Sequence, residues 1–190
     1  MLFLIGGASR SGKSLLVERL LKRAGVSWFS LDTLRMGLAR GAPALGIDPE
    51  ADDLQDARRL WPIVRGMASQ LIDDARPYAI EGVCLDPHDV AAFAADRRVA
   101  ACFLGYPRLD PVEKAALVAA FGGGPNDWLA EEPEDEILAH VTDGRRISAV
   151  LERACAETGI PFFDTGQDFA GALTKAEKHL LAALAEGYWQ

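Results

Sequence analysis

Near its start the chain carries Gly7-Ala8-Ser9-Arg10-Ser11-Gly12-Lys13-Ser14, which fits G-x-x-x-x-G-K-[S/T] at every fixed position. The chemistry of that spacing is the grip on a chain of phosphates. Glycines let the backbone curl into a nest whose N–H groups point at phosphate oxygens. The helix that follows adds the positive end of its dipole. The ammonium of Lys13 is placed to reach the β- and γ-phosphates, and the Ser14 hydroxyl to ligate magnesium. Together with Leu15 these residues form the candidate nucleotide-binding set, with Lys13 also a candidate catalytic group.

Three further residues carry charge at or just past the ends of expected strands. Asp32 follows the second apolar run, and ligands of parallel α/β proteins gather at the carboxyl ends of strands. A carboxylate there can orient a hydroxyl and accept its proton, or cap the helix that starts beside it. Arg35 lies one turn further, where a cation opposes the helix dipole. An anionic acceptor would give it a reason; a place on the surface is the plain alternative. Glu81 ends the apolar run Tyr78-Ala79-Ile80. A charge at the end of a buried strand needs a partner, which a substrate hydroxyl, a magnesium shell or a structural ion pair would supply.

The elements that must hold these groups alternate in type. Leu2–Ile5 is a short apolar run. Lys13–Ala24 places Leu16, Val17, Leu20, Leu21 and Ala24 on one helical face, with Gly25 set to end it. Val26–Leu31 reads as a strand, Asp32–Leu38 as a short helix, and Asp53–Ala75 as a long helix that Pro62 kinks or breaks. Strands are expected at Tyr78–Val83, Val99–Gly105 and Pro161–Asp164. Helices are expected at Asp86–Ala95, Pro111–Phe121, Asp143–Thr158 and Ala170–Glu186. The run from Gly122 to Trp128 reads as loop, and the acidic residues from Glu131 to Glu136 suit a first helical turn. Such alternation implies a parallel sheet covered on both faces.

Composition narrows the classes. The 190 residues suit one domain, and hydrophobic and charged fractions of 49% and 25% exclude a disordered chain. Twenty basic against 28 acidic residues leave a net charge of −8, which disfavours a basic face for nucleic acid or for a membrane surface. No apolar run reaches the ~20 residues of a membrane span, and Met1–Ile5 lacks the basic lead of a signal peptide. Cys84, Cys102 and Cys155 have neither disulfide nor zinc spacing, so buried reduced thiols and a cytoplasmic location are expected. His88, His140 and His179 are isolated, which gives no metal site or hydrolytic triad. Trp28 and Phe29 read as core, and Trp128 as loop packing.

Neither a GTPase nor a motor-type ATPase fits. Asp164-Thr165-Gly166-Gln167 has its glycine too early for D-x-x-G, no N-K-x-D follows, and no acidic pair ends a strand. The order of segments instead resembles the adenylate-kinase-like group of small P-loop kinases. The likeness is carried by GGASRSGKS, Ser30-Leu31-Asp32-Thr33-Leu34-Arg35, Ile80-Glu81-Gly82-Val83, the helix around Arg145, Arg146 and Arg153, and Phe162-Phe163-Asp164-Thr165. The opening and the D-x-x-R after it also resemble bacterial 2-phosphoglycerate kinase-like proteins. Gly105-Tyr106-Pro107-Arg108 is similar to an AMP-binding turn but lacks its preceding Asp, and a plain strand-to-helix turn accounts for it.

The resemblance implies a three-layer fold with a five-stranded parallel sheet in the order 2-3-1-4-5, forming a single domain over residues 1–190. It implies a lid around residues 107–147 that brings Arg145 and Arg146 to the transferring phosphoryl group as catalytic cations. It also implies transfer of the ATP γ-phosphoryl group, with Mg2+, to a small acceptor held by Asp32, Arg35 and Glu81; Arg35 suggests that this acceptor is anionic. The rival readings are a nucleotide-binding regulatory module and a simple NTPase.

Overall fold

Every residue of Leu2–Gly7 is buried, as the central strand of a sheet covered on both sides requires. The computed structural model describes residues 1–49, 53–93, 95–122, 129 and 132–187. In it this strand, β1, pairs in parallel with β3 (Tyr78–Gly82) on one side and β4 (Val99–Gly105) on the other. Strand β2 (Ser27–Ser30) lies outside β3, and β5 (Phe162–Asp164) outside β4. The order is therefore 2-3-1-4-5, all parallel, as expected.

Successive side chains of a strand point to opposite faces, and β1 divides its apolar residues accordingly. Leu2 and Leu4 join Ile80 and Phe103 in a core closed by α2 (Leu31–Gly41), α3 (Asp53–Asp73), α4 (Pro87–Ala91) and α6 (Glu134–Thr158). Phe3 and Ile5 join Ala79, Cys102 and Leu104 under α1 (Lys13–Ala24) and α7 (Phe169–Gly187). Truncating one such residue, as in Leu4→Ala, costs about 2–5 kcal/mol. A small separate core of Ala115, Val118, Leu129, Ile137 and Val141 joins α5 (Pro111–Phe121) to α6.

Local signals explain most boundaries. Gly25 ends α1 in the left-handed region (φ 65) and donates to the Leu21 carbonyl at 2.9 Å. Leu21 itself, expected on the buried face, is 46% exposed. Pro62 neither breaks nor ends α3, which runs on through it. Proline in a helix interior costs about 3 kcal/mol. Here the buried stripe of Ala57, Leu60, Val64, Ala68 and Ile72 continues on both sides of it and outweighs that cost. Likewise α6 begins at Glu134 rather than Asp143, with Glu134, Asp135 and Glu136 in its first turn. Its Gly144 is a packing position, because a Cβ there would strike the Tyr106 hydroxyl. All three cysteines are free and buried. Trp128, Glu131 and most of the expected loop from Gly122 lie outside the described residues. No described helix is long and apolar enough to cross a membrane.

Candidate functional site

The turn from β1 into α1 is shaped by two glycines. Gly7 has φ 145, and a Cβ there would collide with the Leu104 carbonyl of β4. Gly12, φ 99, stands at the start of α1, where no side chain caps the helix and no acidic residue occupies the first turn. The first amides of α1 therefore keep their hydrogens for an incoming anion. Within the turn, Ser11 N donates to the Ala8 carbonyl at 3.3 Å. Lys13, only 5% exposed, donates from Nζ to that same oxygen at 2.8 Å. Ser14 and Leu15 are exposed on the first turn of α1, with the Ser14 hydroxyl one residue beyond the lysine.

Glu81 lies beside this turn. It sits opposite Ile5 of β1 and Ser30 of β2 and is 2% exposed. Ser30 hydrogen-bonds its carboxylate, yet Oε2 is buried with no hydrogen-bond partner among the described residues. Burial raises its pKa, the Lys13 ammonium opposes that rise, and the Asp32 carboxylate adds to it. The three charged groups therefore share one electrostatic neighbourhood at the carboxyl edge of the sheet. Asp32 is exposed in the first turn of α2, whose cap position falls on Ser30; capping is thus not the reason for Asp32.

Arg35 has a different setting from the one expected of it. Its guanidinium is buried between α2 and α3. Nε donates to Asp56 at 2.7 Å, Nη1 to Asp53 at 2.9 Å, and Nη2 to the Asp48 carbonyl at 3.3 Å. Two carboxylates of the chain itself supply the anion, so the ground for an anionic acceptor disappears. Arg145 and Arg146 also meet protein groups. Both are exposed on α6; Arg145 Nε donates to the Pro107 carbonyl at 3.2 Å and Arg146 Nε to Asp143 at 2.8 Å. Arg153 is exposed further along the same helix.

Three residues near the site were not among the candidates. Asp53 is raised in pKa by burial, against the pull of Arg35, and it feels both Asp32 and Lys13. An acidic residue in the first turn of α3 was its only sequence signal. His140 Nε2 hydrogen-bonds Ser9 Oγ at 2.9 Å, and Lys114 Nζ donates to the Arg10 carbonyl at 2.9 Å. For Lys114 the sequence does hold a sign: it shares a helical stripe with the apolar Ala115 and Val118. His140 has none, being a single histidine on a helix.

No family model matches the chain, and no curated protein sequence does. Among solved structures, the shikimate kinase of Acinetobacter baumannii in complex with shikimate aligns over 100% of this chain and 95% of its own, with TM-score 0.56 and 15% identity. The shikimate kinase of Bacteroides thetaiotaomicron aligns over 97% and 98%, at 0.55 and 14%. A gluconokinase from Sinorhizobium meliloti aligns over 97% and 91%, at 0.54 and 20%. At these identities the likeness establishes the shared three-layer fold and its strand order, over nearly the whole length of each chain.

Proposed function

We propose that the chain is an ATP-dependent phosphotransferase that moves the γ-phosphoryl group to a hydroxyl of a small metabolite. The observation that carries this reading is the buried Glu81 carboxylate, with one oxygen unpartnered, beside a lysine-bearing phosphate loop. A regulatory nucleotide module has no need of an unsatisfied buried carboxylate at that place, which is expensive to keep. The kinases that share the fold act on small molecules, and this supports the same class here.

The loop amides and Lys13 would hold the phosphates and offset charge that develops on the transferred group. Asp32, exposed in the first turn of α2, would orient the acceptor hydroxyl and take its proton. Magnesium fits the donors present: the Ser14 hydroxyl and the free oxygen of Glu81 are hard oxygen ligands, suited to an ion that keeps most of its waters. Bound there, it would neutralise phosphate charge. Arg145 and Arg146 are proposed to serve the phosphoryl group from the 107–147 region.

The acceptor side is acidic, with Asp32, Asp53 and Glu81 near one another and Arg35 already paired. That favours a neutral polyol. The narrower likeness to 2-phosphoglycerate kinase-like proteins would instead make the acceptor a phosphorylated acid. Incubation with ATP, magnesium and a panel of polyols, sugar acids and phosphorylated acids, read by mass spectrometry, tests both. A product heavier by one phosphoryl group is expected among the polyols. Steady ATP consumption with no phosphorylated product would make the protein an NTPase and refute transfer.

A further inference from the structure

The arm of the phosphate loop between its glycines, Ser9 and Arg10, is held from outside the motif. Arg10 has φ 60 without being glycine, a conformation that persists only where the surroundings impose it. Lys114 reaches it from α5. Its Nζ donates to the Arg10 carbonyl at 2.9 Å and stands 4.6 Å from the centroid of the Tyr106 ring, a cation–π distance. His140 reaches the same arm from α6 through Ser9 Oγ.

The bond to Arg10 fixes more than one atom. Because the peptide unit is planar, a carbonyl turned toward Lys114 sets the opposite direction for the N–H of Ser11. That N–H donates to the Ala8 carbonyl, the oxygen that also receives the Lys13 ammonium. One peptide and one shared carbonyl thus link Lys114 to Lys13. Lys114 is only 8% exposed, and a buried ammonium is costly. We infer that Lys114, assisted by His140, is a positioning residue for nucleotide binding, which holds the Ser9–Arg10 arm so that the loop amides and Lys13 meet the phosphates in register.

This inference rests on the nucleotide-binding reading of the loop. It carries a pH signature. Burial and the Arg10 guanidinium lower the pKa of Lys114 from 10.5 to about 8. The groups against it are Arg10 from the loop and Tyr106 from the turn after β4, and on α6 Asp143 acts on Tyr106 and on His140. Burial, with Arg10 second, moves His140 down, and burial moves Tyr106 up, so neither titrates near Lys114.

Calorimetry with Mg-ADP on the full chain, paired with thermal melting, tests the assignment. Lys114→Met is expected to weaken binding by about tenfold at pH 7.5 while Tm holds or rises, since an apolar side chain replaces a buried charge. Lys114→Arg should recover part of the loss. Wild-type affinity should fall between pH 7.5 and 9.5, and the Lys114→Met profile should be flat. Unchanged affinity in Lys114→Met, or affinity and Tm falling together, overturns the inference. If Lys114→Met does not fold, a flat wild-type profile, or His140→Phe binding as wild type, overturns it. No heat from the wild type with Mg-ADP brings down the nucleotide reading itself, and this inference with it.

Discussion

The carboxyl edge of the sheet falls into two halves that use the same residue types differently. On the β4–β5 side the acidic groups are spent within the fold. Asp110 caps α5 by accepting from Val112 N at 2.9 Å and Glu113 N at 3.2 Å. Asp164 accepts from Arg108 at 2.6 Å and from Gly166 N at 2.8 Å, and Arg108 also binds Glu152. On the β3–β2 side Glu81 keeps an oxygen unpartnered among the described residues and Asp32 is exposed to solvent. Lys13 is placed between the two halves. Proximity to a strand end is therefore common to both halves; what separates them is whether the folded chain has already satisfied these carboxylates.

The contrast would break first at the lysine. Lys13→Ala should lower phosphoryl transfer by at least about 10³-fold with Tm little changed, because a single charge on the transferring group is lost. Retention of more than a tenth of the activity would remove the loop from the chemistry. Next, Asp32→Asn should reduce kcat by about 10²-fold, with nucleotide affinity kept within about threefold. Equal losses in both would return Asp32 to a structural part.

Glu81→Gln sharpens the same comparison through stability. Burial raises the pKa of Glu81 above 4.5, so across that interval the native state binds a proton that the unfolded state has released. Stability then falls as pH rises through the interval, and the deficit persists at neutral pH. Glu81→Gln should accordingly melt about 2–4 °C higher at pH 7, turn over more slowly, and lose its thermal advantage below about pH 4. The smallest effect belongs to the satisfied half. Asp164→Asn should lower Tm by about 1–3 °C through a weakened, half-exposed pair and leave kcat within about twofold. A large kinetic loss there would erase the distinction between the halves.

Much of this arrangement is legible in the amino-acid order. Periodicity and the G-x-x-x-x-G-K-S spacing locate β1, the phosphate turn and α1, since each rests on neighbours in sequence. Strand order follows only with the help of resemblance. What escapes is non-local. Arg35 of α2 meets Asp53 and Asp56 of α3, 18 and 21 residues further on, and no spacing rule joins them. Lys114 and His140 approach the loop from helices a hundred residues and more away along the chain. Pro62 shows the converse: a strong local signal for a break yields to the buried stripe that continues past it. Gly144 shows how a helix keeps a glycine for the sake of a tyrosine on another element.

The placing of β1 has a bearing on how the molecule is made. Strand β1 leaves the ribosome before both of the strands that flank it, Tyr78–Gly82 and Val99–Gly105. Its apolar residues can find neither partner until those segments have emerged, several seconds later at about 5–20 residues per second. The turn after it depends on Leu104, whose carbonyl accepts from Ala8 N at 3.2 Å. The turn proposed to cradle the nucleotide is therefore finished only after Leu104, nearly a hundred residues further on, has been synthesised, and for that interval Leu2–Ile5 is a sticky nascent segment in need of shielding.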